Sequence, residues 1–133
     1  MSDLSHVGPD GQARMVDVGD KPETDRLARA TGSIRMKPDT LAAIRQNALV
    51  KGDVLAVAKI AGVLAAKRTA ELIPLCHPIP LTDVQVTLVL DDFLPGITCE
   101  AVARTKGRTG VEMEAITAVS VSLITVYDMA KAV

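Results

Sequence analysis

An α+β sandwich, one antiparallel sheet with helices packed on one of its faces, is the fold class the sequence predicts, on three observations. Two segments, around residues 27–36 and 83–91, alternate apolar and polar residues with a period of two, as half-buried strands do. Other segments repeat apolar residues at helical spacing and are bounded by proline, aspartate or glycine. A chain of 133 residues that is 48% hydrophobic has the length of one domain and the apolar content for one core.

Each element follows in order. Residues 1–13 are polar, carry Gly8, Pro9 and Gly11, and are expected to form a flexible arm, leaving 14–133 as a single domain. Met15 to Val18 is expected to start a short strand. From Leu27 to Met36, Ala28, Ala30, Gly32, Ile34 and Met36 share one side, and Arg29, Thr31, Ser33 and Arg35 the other. Pro38 can open a helix at the position where its missing N–H costs least; Leu41, Ile44 and Ala48 follow at helical spacing, with Gly52 as the expected stop. Asp53 is the candidate N-cap of a second helix running from Val54 to about Ile73, rich in small residues and ended by Pro74. Pro74, Pro78 and Pro80 stiffen a loop. Val84, Val86, Leu88 and Leu90 mark one face of a strand, the turn 91–96 reverses the chain, and a strand from Ile97 to about Lys106 completes a hairpin. Gly107 and Gly110 precede a last long helix from about Val111 to the C-terminus. The order strand, helix, helix, strand, strand, helix is most naturally met by a ferredoxin-like sandwich.

Composition narrows the function. Phe93 and Tyr127 are the only aromatics, so Ala, Val, Leu and Ile fill the core. Such a core buries less area per residue, and a homo-oligomer is expected because further burial between subunits would help. A net charge of −1 argues against a nucleic-acid surface. Cys76 and Cys99 make no metal or redox spacing and suit a reducing compartment. The N-terminus lacks the apolar stretch of a signal peptide, and the uncharged run Ala115 to Tyr127 is too short to span a bilayer. A cytoplasmic protein that binds no membrane is expected.

Chemistry concentrates in three places. His77, between Cys76 and Pro78, sits on a backbone with few conformations, as a catalytic or binding imidazole requires; a surface histidine in a tight connection is the plainer alternative. A zinc site built on Cys76 and His77 lacks further ligands at suitable spacing, and no metal site is assigned. In Thr105-Lys-Gly-Arg-Thr-Gly-Val-Glu-Met-Glu114, free N–H groups at a helix start, with Lys106 and Arg108, attract anions. Glu112 and Glu114 there suit a different ligand, one presenting paired N–H donors such as the amidine edge of guanine; acidic residues answering the helix dipole are the alternative. At the far end of the last helix, Asp128 and Lys131 are three apart and can meet, as a surface ion pair or as a carboxylate tuned by a cation. On one helix, Glu114 and Asp128 fall within ~40° of each other in azimuth but about 21 Å apart along the axis. Two antiparallel copies related by a two-fold near Val121, with small Thr117, Val121 and Thr125 near the seam, would bring Glu114 of one chain toward Asp128 of the other. Lys51, Lys67 and Arg68 are candidate phosphate ligands, with solvated surface cations as the alternative.

Met15-Val-Asp-Val-Gly19, Lys51-Gly-Asp53, Ala65-Ala-Lys-Arg-Thr69, Ile73-Pro-Leu-Cys-His-Pro-Ile-Pro-Leu81, Thr105-Lys-Gly-Arg-Thr-Gly-Val-Glu-Met-Glu-Ala115 and Val126-Tyr-Asp-Met-Ala-Lys131 run in order along the chain. Together they resemble the cyclic pyranopterin monophosphate synthase family, molybdenum cofactor biosynthesis protein C. The resemblance implies a ferredoxin-like fold, a hexamer built as a trimer of dimers, and an active site at the dimer interface. It implies a lyase acting on 3′,8-cyclo-7,8-dihydro-GTP, supplied by a preceding radical GTP cyclase, and forming cyclic pyranopterin monophosphate with release of pyrophosphate. By the same resemblance Asp128, Lys131 and Lys51 are catalytic. Leu75, Cys76 and His77 form one substrate-contact segment and Met113 with Glu114 another. Glu112 joins Glu114 on the pterin, and Lys67 and Arg68 help neutralise the triphosphate. No cofactor is implied beyond magnesium carried with the triphosphate. The family pattern continues into a tail rich in glycine and lysine that would supply a further lysine near the phosphates; the sequence given stops at Lys131-Ala-Val133.

Two rival readings stand beside this one. A non-catalytic nucleotide- or pterin-binding regulatory domain of the same fold would bind without turnover. A structural assembly subunit would not require Asp128 and Lys131.

Overall fold

The computed structural model describes residue 8 and residues 11–133. Of the expected arm, residues 1–7, 9 and 10 lie outside the described residues. Met15 to Val18 does not form the expected strand. Its backbone is diverted into a turn, in which Asp17 accepts the Gly19 N–H at 2.9 Å and Lys21 N donates to Val18 O at 3.0 Å.

Strand β1, Thr24–Arg35, keeps the expected alternation, with Ala28, Ala30, Gly32 and Ile34 turned inward. Helix α1, Pro38–Arg45, opens at Pro38 but ends well before Gly52. Asn47, at φ 54°, takes the left-handed position, while Asn47 N donates to Ile44 O and Ala48 N to Ala43 O. That pair of bonds is a Schellman stop, with asparagine in the place usually held by glycine. Helix α2, Val54–Lys67, starts as expected, with the Asp53 carboxylate accepting Ala56 N–H at 3.1 Å. It stops six residues short of Ile73 and is followed by the single turn α3, Thr69–Leu72. Buried Thr69 donates its hydroxyl to the carbonyls of Ala65 and Ala66, and Arg68 N bonds Ala65 O, which tightens and breaks the helix there.

Strands β2, Leu81–Asp91, and β3, Gly96–Gly107, form the expected hairpin, with Asp91 Oδ1 accepting the N–H groups of Phe93 and Leu94 in the turn. The sheet order is β1-β3-β2, antiparallel throughout. Helix α4, Glu112–Ala130, lies over β1 and β3, and α2 packs against α4 and β2. All helix–sheet packing thus falls on one face, and the fold is an α+β sandwich of ferredoxin-like type.

Small side chains set the spacing of the layers. Ala101, Ala103, Ala58 and Ala118 are fully buried. Where α2 crosses α4, a β-carbon on Gly62 would overlap Ser122 Oγ, so the helices meet nearly backbone to side chain. Ser122 Oγ, also fully buried, donates to Ala58 O at 2.9 Å and ties the two helices together. α4 has the length and mean hydropathy of a membrane-crossing helix, but half of that stretch is buried in this fold, where its apolar residues form the core.

Candidate functional site

Two groups of polar side chains sit at the two ends of α4. The first is built where the proline loop crosses the helix start. Thr105 Oγ1 on β3 donates to Pro80 O at 2.6 Å, and Cys76 N closes a turn on Ile73 O at 3.1 Å. The loop is thereby laid against Glu114, whose side chain is 2% exposed. Cys76 Sγ lies 3.8 Å from Glu114 Oε2, while Oε1 is buried with no hydrogen-bond partner among the described residues. Burial pushes the Glu114 carboxyl above its ordinary range; its own backbone N–H and the Cys76 thiol pull the other way, and the charge of Glu112 adds to the rise. Burial likewise raises the Cys76 thiol, with Glu114 adding to it, so the thiol acts as a weak donor rather than a nucleophile.

A cavity of about 410 Å³ opens here, lined among others by Leu75, Cys76, His77, Glu112, Met113 and Glu114. Its size is that of a small-molecule site. A second cavity of about 320 Å³ adjoins it, with Lys67, Arg68 and Thr69 on one wall and Pro78 and Pro80 on another. Glu114 lines both cavities. Eight of the sequence-selected residues thus converge on one end of the chain, within or beside the two cavities. Lys106 and Arg108, weighed as anion ligands, line neither of them. Thr109, Gly110, Ile73 and Ile79 also line the larger cavity and were missed as site residues, because nothing in their types marks chemistry.

The second group sits at the C-terminal end of α4. Lys51 Nζ is 3.0 Å from Asp128 Oδ2 and also donates to Asp128 O at 3.2 Å; Lys131 Nζ is 3.2 Å from Oδ1. Lys51 first, then Lys131, holds the Asp128 carboxyl below its ordinary range. The expected Asp128–Lys131 pair is present, and Lys51 completes it from the turn between α1 and α2, where Gly52 takes φ 103°. The residues around Lys51 suggest only a phosphate ligand, while the resemblance implies a catalytic role beside Asp128 and Lys131; its contact with Asp128 spans 77 residues of chain and leaves no local signal.

Within one chain the two groups stay apart, separated by most of α4, about 21 Å at ~1.5 Å per residue. Asp128, Lys51 and Lys131 are all about half exposed. The exposed line along α4 runs through Ile116, Ser120, Ile124 and Tyr127. Thr117, one of the small residues expected near an intersubunit seam, is instead 7% exposed inside the chain, so the free face is turned about one residue from the expected line. Among the described residues no group of three or more His, Cys, Asp and Glu is placed to hold a metal ion.

This arrangement can be set beside known proteins. Residues 15–133 match the model of the MoaC family. A protein of Dinoroseobacter shibae named cyclic pyranopterin monophosphate synthase is 59% identical over 133 residues, which is 100% of this chain and 84% of the relative. Proteins of the same name from Brucella ovis and Brucella canis are 58% identical over 130 residues, 98% of this chain and 79% of theirs. With a match of that extent, and relatives that similar from end to end, the chain belongs to the MoaC family.

Proposed function

We propose that the chain is a cyclic pyranopterin monophosphate synthase, a lyase of molybdenum cofactor biosynthesis. It converts 3′,8-cyclo-7,8-dihydro-GTP to cyclic pyranopterin monophosphate and releases pyrophosphate. The relatives' shared name supports the activity. The observation that carries the assignment of the site is Glu114, a buried carboxylate with one oxygen lacking a donor among the described residues, on the wall of a cavity of small-molecule size.

A buried acceptor without a partner is costly, and a ligand that brings a donor removes that cost. The amidine edge of a guanine-derived ring presents two adjacent N–H groups. Glu114 accepts one and Glu112 the other, while Leu75, Cys76, His77 and Met113 enclose the ring. Lys67 and Arg68, in the adjoining cavity, take phosphate oxygens. Asp128, kept ionised by Lys51 and Lys131, is the general base of the ring rearrangement, and the two ammonium groups return protons and neutralise charge on the departing pyrophosphate. Magnesium, when present, enters with the triphosphate as part of the substrate.

One chain holds these two sets too far apart for one small molecule. The site is therefore shared: a second copy, laid antiparallel along the exposed face of α4, brings its Asp128 end over the Glu114 cavity. The two-fold relation gives two such sites per dimer, and three dimers make the hexamer. The enzyme works in the cytoplasm, where the reduced cysteines and the nucleotide substrate belong.

Purified protein incubated with the cyclo-dihydro nucleotide is expected to yield the pyranopterin and pyrophosphate; folded protein that binds the nucleotide without turnover would leave only a ligand-binding domain. The shared site is tested by mixing inactive Glu114→Ala and Asp128→Ala chains after dissociation. Recovery of up to about a quarter of the wild-type sites' activity is expected from random pairing, since half of the dimers are mixed and each holds one intact site. No recovery from mixtures shown to exchange subunits rejects the shared site.

A further inference from the structure

We propose that Gly110 is a positioning residue for Glu112: its empty β-position is the seat in which the Glu112 carboxylate is held at the wall of the larger cavity. The inference deepens the substrate-contact role proposed above for Glu112 and rests on it.

Both residues line the 410 Å³ cavity, together with Cys76, His77, Met113 and Glu114. Glu112 is the first residue of α4, and an exposed glutamate there is free to extend into solvent. It does not. A β-carbon built on Gly110 would overlap both carboxylate oxygens of Glu112 and lie 2.6 Å from its Cδ, and these are the nearest atoms it meets. The side chain is therefore folded back over the backbone two residues before it.

The backbone itself does not demand glycine at this position. Among the described residues the glycines with positive φ are Gly11 and Gly52, so Gly110 has a conformation that alanine tolerates. What glycine supplies is space. Position matters for Glu112 because its charge reaches Glu114, whose carboxyl it helps to raise. Two acceptors that must meet two adjacent N–H donors need a set separation, within a few tenths of an ångström of hydrogen-bond range. A methyl group at residue 110 pushes the Glu112 carboxylate out of that place, yet the three nearest atoms it meets all belong to the movable end of that side chain, so the fold is spared.

The test compares Gly110→Ala, Glu112→Gln, the double variant and Glu112→Asp, with steady-state kinetics on the cyclo-dihydro nucleotide and thermal unfolding of each. Gly110→Ala is expected to keep the wild-type Tm within a degree or two and to lose about tenfold in kcat/KM, mainly through KM, the scale of one charge-assisted hydrogen bond. Added to Glu112→Gln, it is expected to cost almost nothing more, because the carboxylate it displaces is already gone. Glu112→Asp keeps the charge but not the reach, and is expected to lose nearly as much as Glu112→Gln. Additive losses in the double variant, a large fall in Tm for Gly110→Ala, or near-wild-type kinetics in Gly110→Ala or Glu112→Asp would each overturn the proposal. Wild-type kinetics in Glu112→Gln would instead remove the role of Glu112 itself, a distinct failure that shows in the single variant.

Discussion

Replacing Gly62 by alanine tests how the fold holds its two long helices together. The added β-carbon would overlap Ser122 Oγ, lie 3.0 Å from the Ala118 carbonyl oxygen and 3.3 Å from Val86 Cγ2. Ser122 is fully enclosed and donates to Ala58 O at 2.9 Å, so its hydroxyl cannot retreat without giving up a buried hydrogen bond. The Ala118 oxygen belongs to the α4 backbone and moves only with the helix. Overpacking of this kind costs about 1–3 kcal/mol, and straining or losing the Ser122 bond about 1–3 kcal/mol more. Against these stands the better helix propensity of alanine, about 1 kcal/mol. The expected net is a destabilisation of about 1–5 kcal/mol, whose middle corresponds to a fall in Tm of roughly 10 °C for a domain of this size. Urea and thermal unfolding followed by circular dichroism, at fixed protein concentration, measure it. In a Ser122→Ala background the same substitution should cost less, since the overlapped oxygen is absent. Gly62→Ala as stable as the wild type, or equal costs in both backgrounds, would refute the close-contact argument.

Three further outcomes follow from the site. Burial raises the Glu114 carboxyl, so the folded chain holds that proton more tightly than the unfolded chain; the stabilisation is complete below the unfolded carboxylate range and is lost as pH rises through the folded value. Glu114→Gln is therefore expected to gain stability relative to wild type as pH rises above the ordinary carboxylate range, checked by urea midpoints measured from acid to neutral pH. Asp128 is shifted the other way, so its contribution is present above the unfolded value and disappears as pH falls through the folded one; Lys51→Ala should move the Asp128 titration upward in carboxyl NMR, and an unmoved titration would deny the contact. Thr105→Val removes the 2.6 Å bond to Pro80 O and should cost about 1–2 kcal/mol while loosening the loop that carries Cys76 and His77, measured as faster amide exchange around residues 75–77.

The strands, the hairpin, the proline start of α1 and the Asp53 cap of α2 were legible in the sequence because each is a short-range matter of period, turn chemistry or one nearby side chain. The early stops of α1 and α2 were harder to read. Asn47 in the left-handed position and Thr69 bonding back to the preceding carbonyls are local devices, but neither residue type implies its conformation. Most residues of the candidate site were selectable by type and spacing, and the separation of Glu114 from Asp128 follows from helix geometry alone.

What the sequence by itself determined is the three long strands, the starts of the long helices and the chemistry available at each end of α4. Only the tertiary structure decided which of those groups meet: Lys51 with Asp128 across 77 residues, Cys76 with Glu114 across 38, and Lys67 and Arg68 with the far wall of the Glu114 cavity. It also decided that Thr117 turns inward and that Gly110 makes room for a carboxylate. Period and capping record hydrogen bonds within a few residues, whereas these meetings depend on how closely α4 lies on the sheet and on α2, which small buried residues such as Gly62, Ala101 and Ala118 set.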